Sequence, residues 1–199
     1  MEEQMKQRIL EAEKRIKELL NQGELKKLSE HNKQEISVFY EKKSLSRLKS
    51  AKLIFNHSTE QRDYSDYSEV VSAAYYSMYY IVHSFLALKY QRKLREGLRG
   101  VHAITAHLVL YYLVKTNQLS KYLYEEYINT LETVAEVDNI TLNDFEQEAY
   151  SYAEKYKSER NKRERFTYFV SRNAEEHHAK VSLDVAEKFI NILRELIRK

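Results

Sequence analysis

Hydrophobic positions along the chain recur at intervals of three and four, the spacing that keeps side chains on one face of an α-helix. Residues 2–21 carry Met5, Ile9, Ala12, Ile16 and Leu19 among charged neighbours, a coiled-coil-like stripe too short to stand without a surface to bury it. Gly23 is placed to end this helix. A second helix is predicted over Glu35–Phe55, with Leu45, Leu48, Ala51 and Phe55 on one face, and Asn56–Asp66 is a polar connection. Tyr67–Leu94 predicts a long apolar helix, Arg95–Gly100 a turn with two glycines, and Val101–Lys115 a helix with Ile104, Leu108 and Tyr111 inward. Thr116–Leu119 breaks the pattern, and Ser120 can cap a further helix to about Val137. Thr141, with Asp144 three residues later, opens another, whose buried face is Phe145, Ala149, Tyr152 and Tyr156. Phe166–Val181 has no clean helical period. Ser182 is then predicted to cap an amphipathic last helix with Leu183, Ala186, Ile190, Leu193 and Ile197 on one stripe.

Composition sharpens this pattern. The 199 residues include no proline and three glycines, whereas strand-and-turn folds consume both. The chain is therefore expected to be all-α: an antiparallel helical bundle with an extra N-terminal helix. Residues 1–33 form the charged helical appendage and residues 34–199 the bundle. Hydrophobic residues make up 43% of the chain, enough for a packed core. Cysteine is absent, which removes disulfides, thiolate zinc sites and cysteine nucleophiles, and fits a reducing, cytoplasmic setting.

Val70–Leu88 has no formally charged side chain over 19 positions, the length of a membrane span. Its centre, however, holds Tyr75, Tyr76, Tyr79 and Tyr80, where a span wants aliphatic residues and keeps tyrosine for its ends. Ser72, Ser77, His83 and Ser84 add polarity. A buried central helix is expected, with no membrane contact.

The net charge of +3, from 33 basic and 30 acidic residues, does not by itself indicate a nucleic-acid partner; only local clustering could. There is no HExxH zinc motif and no GxxxxGK phosphate loop. A single Glu-x-x-His, Glu175 to His178, falls short of the set a di-iron bundle needs, so no metal and no cofactor are expected. The informative segment is Arg172-Asn173-Ala174-Glu175-Glu176-His177. A guanidinium offers phosphate a planar fork of donors and keeps its charge, and an imidazole moves protons near neutral pH. RNA carries its own nucleophile, the 2′-hydroxyl, so such a pair could cleave it without metal. Five residues at about 100° each set Arg172 and His177 about 140° apart on an ideal helix. Either the segment is an irregular turn, or two chains each supply part of the site; a plain polar loop joining two helices is the remaining alternative. Lys155, Lys157, Arg160, Lys162, Arg163 and Arg165 crowd the chain just before it. If Arg172 is functional, Arg160, Lys162, Arg163 and Arg165 are the natural RNA-backbone patch. His102 and His107 are expected as core or boundary residues.

The stretch Ser72-Ala73-Ala74-Tyr75-Tyr76-Ser77-Met78-Tyr79-Tyr80, then His102 opening a helix that ends in Leu113-Val114-Lys115, resembles the HEPN (higher eukaryotes and prokaryotes nucleotide-binding) family. Arg165-Phe166-Thr167-Tyr168, followed by Ala186, Phe189 and Ile190, is similar to the closing segment of that family. The resemblance covers about residues 35–199. It implies a compact helical bundle that dimerises. In active members an Arg-(Asn/Asp/His)-x-x-x-His motif from each chain faces a shared cleft and cleaves RNA without metal, which would make Arg172, Asn173 and His177 the catalytic residues. It also implies a toxin or defence role, often beside a nucleotidyltransferase antitoxin. Some family toxins carry a modifiable tyrosine two residues after the motif histidine, where this chain has Ala179. Relatives with an Arg-x-x-Tyr block like Arg165–Tyr168 often lack the histidine, which implies the alternative: a non-catalytic module binding a nucleotide, RNA or a partner protein.

Overall fold

The computed structural model describes residues 2–61, 65–137 and 172–199, and of residues 2, 136–137 and 172–174 the backbone alone. Within them the chain is an all-α helical bundle with one short two-stranded sheet. Helix α1 spans Glu2–Asn21, strand β1 Leu25–Lys27, α2 Glu30–Glu60, α3 Tyr67–Tyr90 and strand β2 Arg92–Leu94. Helix α4, Val101–Val109, runs on into a π-helical turn at Leu110–Val114; α5 covers Lys121–Val137 and α6 Arg172–Arg198. The helix predicted from Thr141, with Phe145, Ala149, Tyr152 and Tyr156, lies outside the described residues.

Helix α3 is the axis of the bundle. Most of its residues are buried, from Val70 and Ala74 through Met78 and Ile81 to Phe85, with an edge at Tyr76, Tyr79 and Tyr80 only partly covered. No helix among the described residues is long and apolar enough to cross a membrane, and the expected core placement of Val70–Leu88 holds. Helices α2 and α6 pack against α3, as α5 does near Tyr127.

The α2–α3 seam is built from small residues. Ser37, Ser44, Ala51 and Ser58 repeat every seven residues on α2 and are its buried positions. Such a stripe lets two backbones approach closely, and its hydroxyls need partners once dry. They have them: the Ser44 hydroxyl donates to Ser77 O at 2.7 Å, and the Ser84 hydroxyl to Ser37 O at 2.9 Å. Leu45, Leu48 and Phe55, predicted to lead this face, flank the stripe half-buried. Helix α2 is also longer than predicted at both ends. Ser29 caps its start by accepting from the Asn32 amide at 3.2 Å, and the helix continues through the supposed connection to Glu60.

Helix α1 docks on α4 and its π turn, sinking Met5, Ala12, Ile16 and Leu19 into the common core. Arg8 reaches Glu125 at 2.6 Å and Lys115 reaches Glu13 at 2.5 Å, joining α1 to α5 and to the end of α4. Strand β1 pairs antiparallel with β2, Leu25 opposite Leu94. Nothing in the apolar spacing predicts this pair. Helix α3 stops four residues earlier than predicted because Gln91 turns left-handed at φ 53° and sends the chain back along β1. The Arg95–Gly100 turn is as predicted, with Gly97 and Gly100 both at positive φ. Ser120 caps α5 as expected, accepting from the Leu123 amide at 3.2 Å.

Candidate functional site

The segment around the Arg-Asn-x-x-x-His motif is helical. Helix α6 begins at Arg172 and runs unbroken to Arg198, so the absence of a helical period read over Phe166–Val181, and with it the irregular-turn and polar-loop alternatives for Arg172–His177, is corrected from residue 172 onward. Ser182 does not cap the helix; it lies in the middle of it, buried. The period is hidden in the sequence because its inward positions here are not large apolar residues. Ala179 and Ser182 are buried by virtue of being small, and Glu176 extends the same face as a polar contact.

That contact fixes how α6 is rotated. The Tyr67 hydroxyl, at the start of α3, lies 3.1 Å from Glu176 Oε2 and 3.3 Å from Ser58 O at the end of α2. Ala179, Leu183, Ala186, Ile190 and Leu193 continue the buried stripe. Seven residues before Ala179, Arg172 occupies a backbone position about 20° from that stripe, whereas His177 stands about 160° from Ala179. His177 is accordingly exposed, its ring 6.1 Å from that of His178. Asn173 is one turn before His177, at a backbone position on the same outer side. The structure thus brings positions 173 and 177 to one face and sets position 172 on another, about 7.5 Å back from His177 along the axis. No third His, Asp or Glu completes a metal-binding group among the described residues. Arg160, Lys162, Arg163 and Arg165, the expected backbone patch, lie outside the described residues. Ala179 is fully buried.

Three other histidines, His83, His102 and His107, serve the packing of the bundle. His83 Nε2 lies 3.1 Å from Thr105 Oγ1, whose own proton goes to Val101 O at 2.6 Å, so the imidazole is the donor. Burial, and secondarily the neighbouring His102, pushes His83 down to about 3. His107 is lowered to about 4, first by burial and then by Arg15 on α1. His102 Nδ1 and the Tyr75 hydroxyl are hydrogen-bonded at 2.8 Å. Burial raises Tyr75 and Tyr79 well above the ordinary phenol range. These tyrosines, with His83 and His107, stay neutral at physiological pH, and the Tyr75–His102 and His83–Thr105 bonds hold α3 against α4.

One surface arrangement is not evident from the sequence pattern. On the outer side of α2, Lys43 Nζ sits 4.7 Å over the Phe39 ring and 5.3 Å from the ring of Tyr80, and Arg47 is 6.0 Å from that of Tyr76. Tyr40 stacks on Tyr80 at 6.1 Å. The apolar stretch of α3 suggests that Tyr76 and Tyr80 belong to the core, and both are partly exposed instead. The four-residue spacing of Phe39, Lys43 and Arg47 is the signal that could have found them.

Comparison with family models, with curated proteins and with solved structures gives no match.

Proposed function

We propose that the chain is a HEPN-like module that binds RNA or a nucleotide and does not cleave it from a single copy. The order of the Ser72–Tyr80, His102 and Ala186–Ile190 segments on one helical bundle supports the kinship. The observation that carries the non-catalytic reading is the rotation of α6, clamped by Tyr67 on Glu176, which parts position 172 from His177. A proton-transfer group and the cation that stabilises the same phosphorane must reach one phosphate together. Here a continuous helix carries the two positions on different sides. The test is to incubate the protein with labelled RNA in excess chelator and follow both retention and length. RNA retained and intact fits the reading; RNA neither retained nor cut opposes it.

A second reading has its own support. Arg172 and Asn173 form the opening turn of α6, and His177 is on the outer face, open to another molecule. Two copies meeting there would form a metal-independent endoribonuclease, the dimeric toxin or defence nuclease with an antitoxin partner that the resemblance implies. Mixing Arg172→Ala with His177→Ala protein distinguishes the readings. Cleavage by the mixture and by neither variant alone supports the composite site.

A further inference from the structure

We infer that the outer face of α2 and the adjoining edge of α3 form a binding surface for single-stranded nucleic acid. The inference rests on the proposed binding role and deepens it by naming the ligand class and the surface that receives it; it does not involve the α6 motif.

Three observations carry it. First, α2 exposes Lys42, Lys43 and Lys49, and no carboxylate among the described residues pairs with them. The nearby acids are engaged elsewhere: Glu41 with Arg194 at 2.9 Å, Glu30 with Lys33, and Glu35 loosely with His31 at 3.7 Å. Arg47 shares only a 3.7 Å contact with Glu69. The face is therefore positively charged with little internal neutralisation, whereas the whole chain carries just +3. Second, aromatic rings lie against two of these cations, Lys43 and Arg47. Phe39 is 52% exposed, an unusual state for phenylalanine; half-buried Tyr40 lies against it at 5.4 Å, Tyr80 stacks on Tyr40, and Tyr76 lies by Arg47. Third, the surface is a strip. From Phe39 to Leu53, itself 60% exposed, α2 runs about 21 Å along the seam with α3.

Cations and open rings along one strip suit a strand with exposed bases. Phosphates meet the lysines, and bases stack on rings without regard to sequence. A duplex hides its base faces and would use the charge alone. A second copy of the same face would bring Lys42, Lys43, Arg47 and Lys49 against their own kind, a repulsion that disfavours self-docking.

The experiment measures anisotropy of a short labelled oligonucleotide with the full chain, in chelator, as single-stranded RNA, single-stranded DNA and blunt RNA duplex. We expect the single strands to bind more tightly than the duplex, with RNA against DNA showing whether the 2′-hydroxyl contributes. Phe39→Ala should weaken single-strand binding by about tenfold, as removing one stacking partner does, and Phe39→Trp should restore it. The pair Lys42→Glu/Lys43→Glu should weaken it further and flatten the salt dependence by about 0.7 for each phosphate no longer neutralised. Lys121→Glu on α5 changes charge in the same sense and should stay within about twofold of wild type, because the effect is local. Circular dichroism checks that each variant keeps its helix content. If wild type binds the single strand while the α2 variants bind it equally well, this inference fails and the broader binding role stands. If wild type binds no nucleic acid, this inference and the RNA-binding form of the proposed role both fall. If Phe39→Ala changes the mass of the particle in solution instead of its affinity, the face is a self-interface and the inference is wrong.

Discussion

The Tyr67 hydroxyl donates to Glu176 at 3.1 Å, tying the first turn of α3 to the second turn of α6. Glu176 is the residue immediately before His177, so a contact in the bundle sets the direction of the motif. With Glu176 turned inward, the next residue must turn away. The position of His177 is thus a consequence of helix geometry and a hydrogen bond, and it shapes which chemistry this chain can perform alone.

Removing that hydroxyl should loosen α6 at its start. Tyr67→Phe keeps the ring and loses the bond to a carboxylate, which costs about 1–2 kcal/mol for a partly buried charged partner. Urea unfolding reads the loss of stability. Hydrogen exchange should accelerate at residues 176–180 and remain unchanged around Leu193, where the apolar stripe holds the helix.

The serine seam should reject larger residues. Ala51 is fully buried in the stripe that brings α2 onto α3, and Ala51→Leu is expected to cost about 1–3 kcal/mol through overpacking. Ser84→Ala should also destabilise, by about 1–3 kcal/mol, because it leaves the buried Ser37 hydroxyl without its partner and removes the second bond to Ser37 O. Denaturant midpoints check both.

Much of the architecture is legible in the sequence. The stripe of α1, the buried centre of α3 and the capped start of α5 are written in apolar spacing and in Ser120. What is hidden has a common cause: position, not hydrophobicity, decides the burial of small and polar residues. Ser37, Ser44 and Ser58 look like solvent residues until a partner helix covers them, and Ala179 and Ser182 conceal the period of α6 in the same way. The β1–β2 pair depends on a left-handed Gln91, a residue with no strong turn signal. At the candidate site, the identities of Arg172 and His177 are readable, and so is the angle an ideal helix would set between them; what is hidden is that the helix is continuous there. Conversely, the tyrosine-rich stretch reads as core throughout, which conceals its outward-facing edge beside Lys43.

Stability should fall on acidification through the buried imidazoles. His83 and His107 are held near 3 and 4 in the folded chain against an ordinary value of 6.5. Between those values the unfolded chain binds the protons and the folded chain does not. The stabilisation is therefore complete above about pH 6.5 and is lost as the pH drops from there toward 4 for His107 and toward 3 for His83, at about 1.4 kcal/mol per pH unit for each histidine. His107→Gln should reduce the slope of unfolding free energy against pH in that window by about one proton's worth. An unchanged slope would mean that His107 is not held neutral by burial.

The most direct measurement is the fate of RNA held with wild-type protein in excess chelator, compared with the Arg172→Ala/His177→Ala double variant. With positions 172 and 177 carried on different sides of α6, we expect the RNA to stay full length with both proteins. Cleavage by wild type that disappears in the double variant would contradict the binding-only reading and leave the nuclease reading in its place.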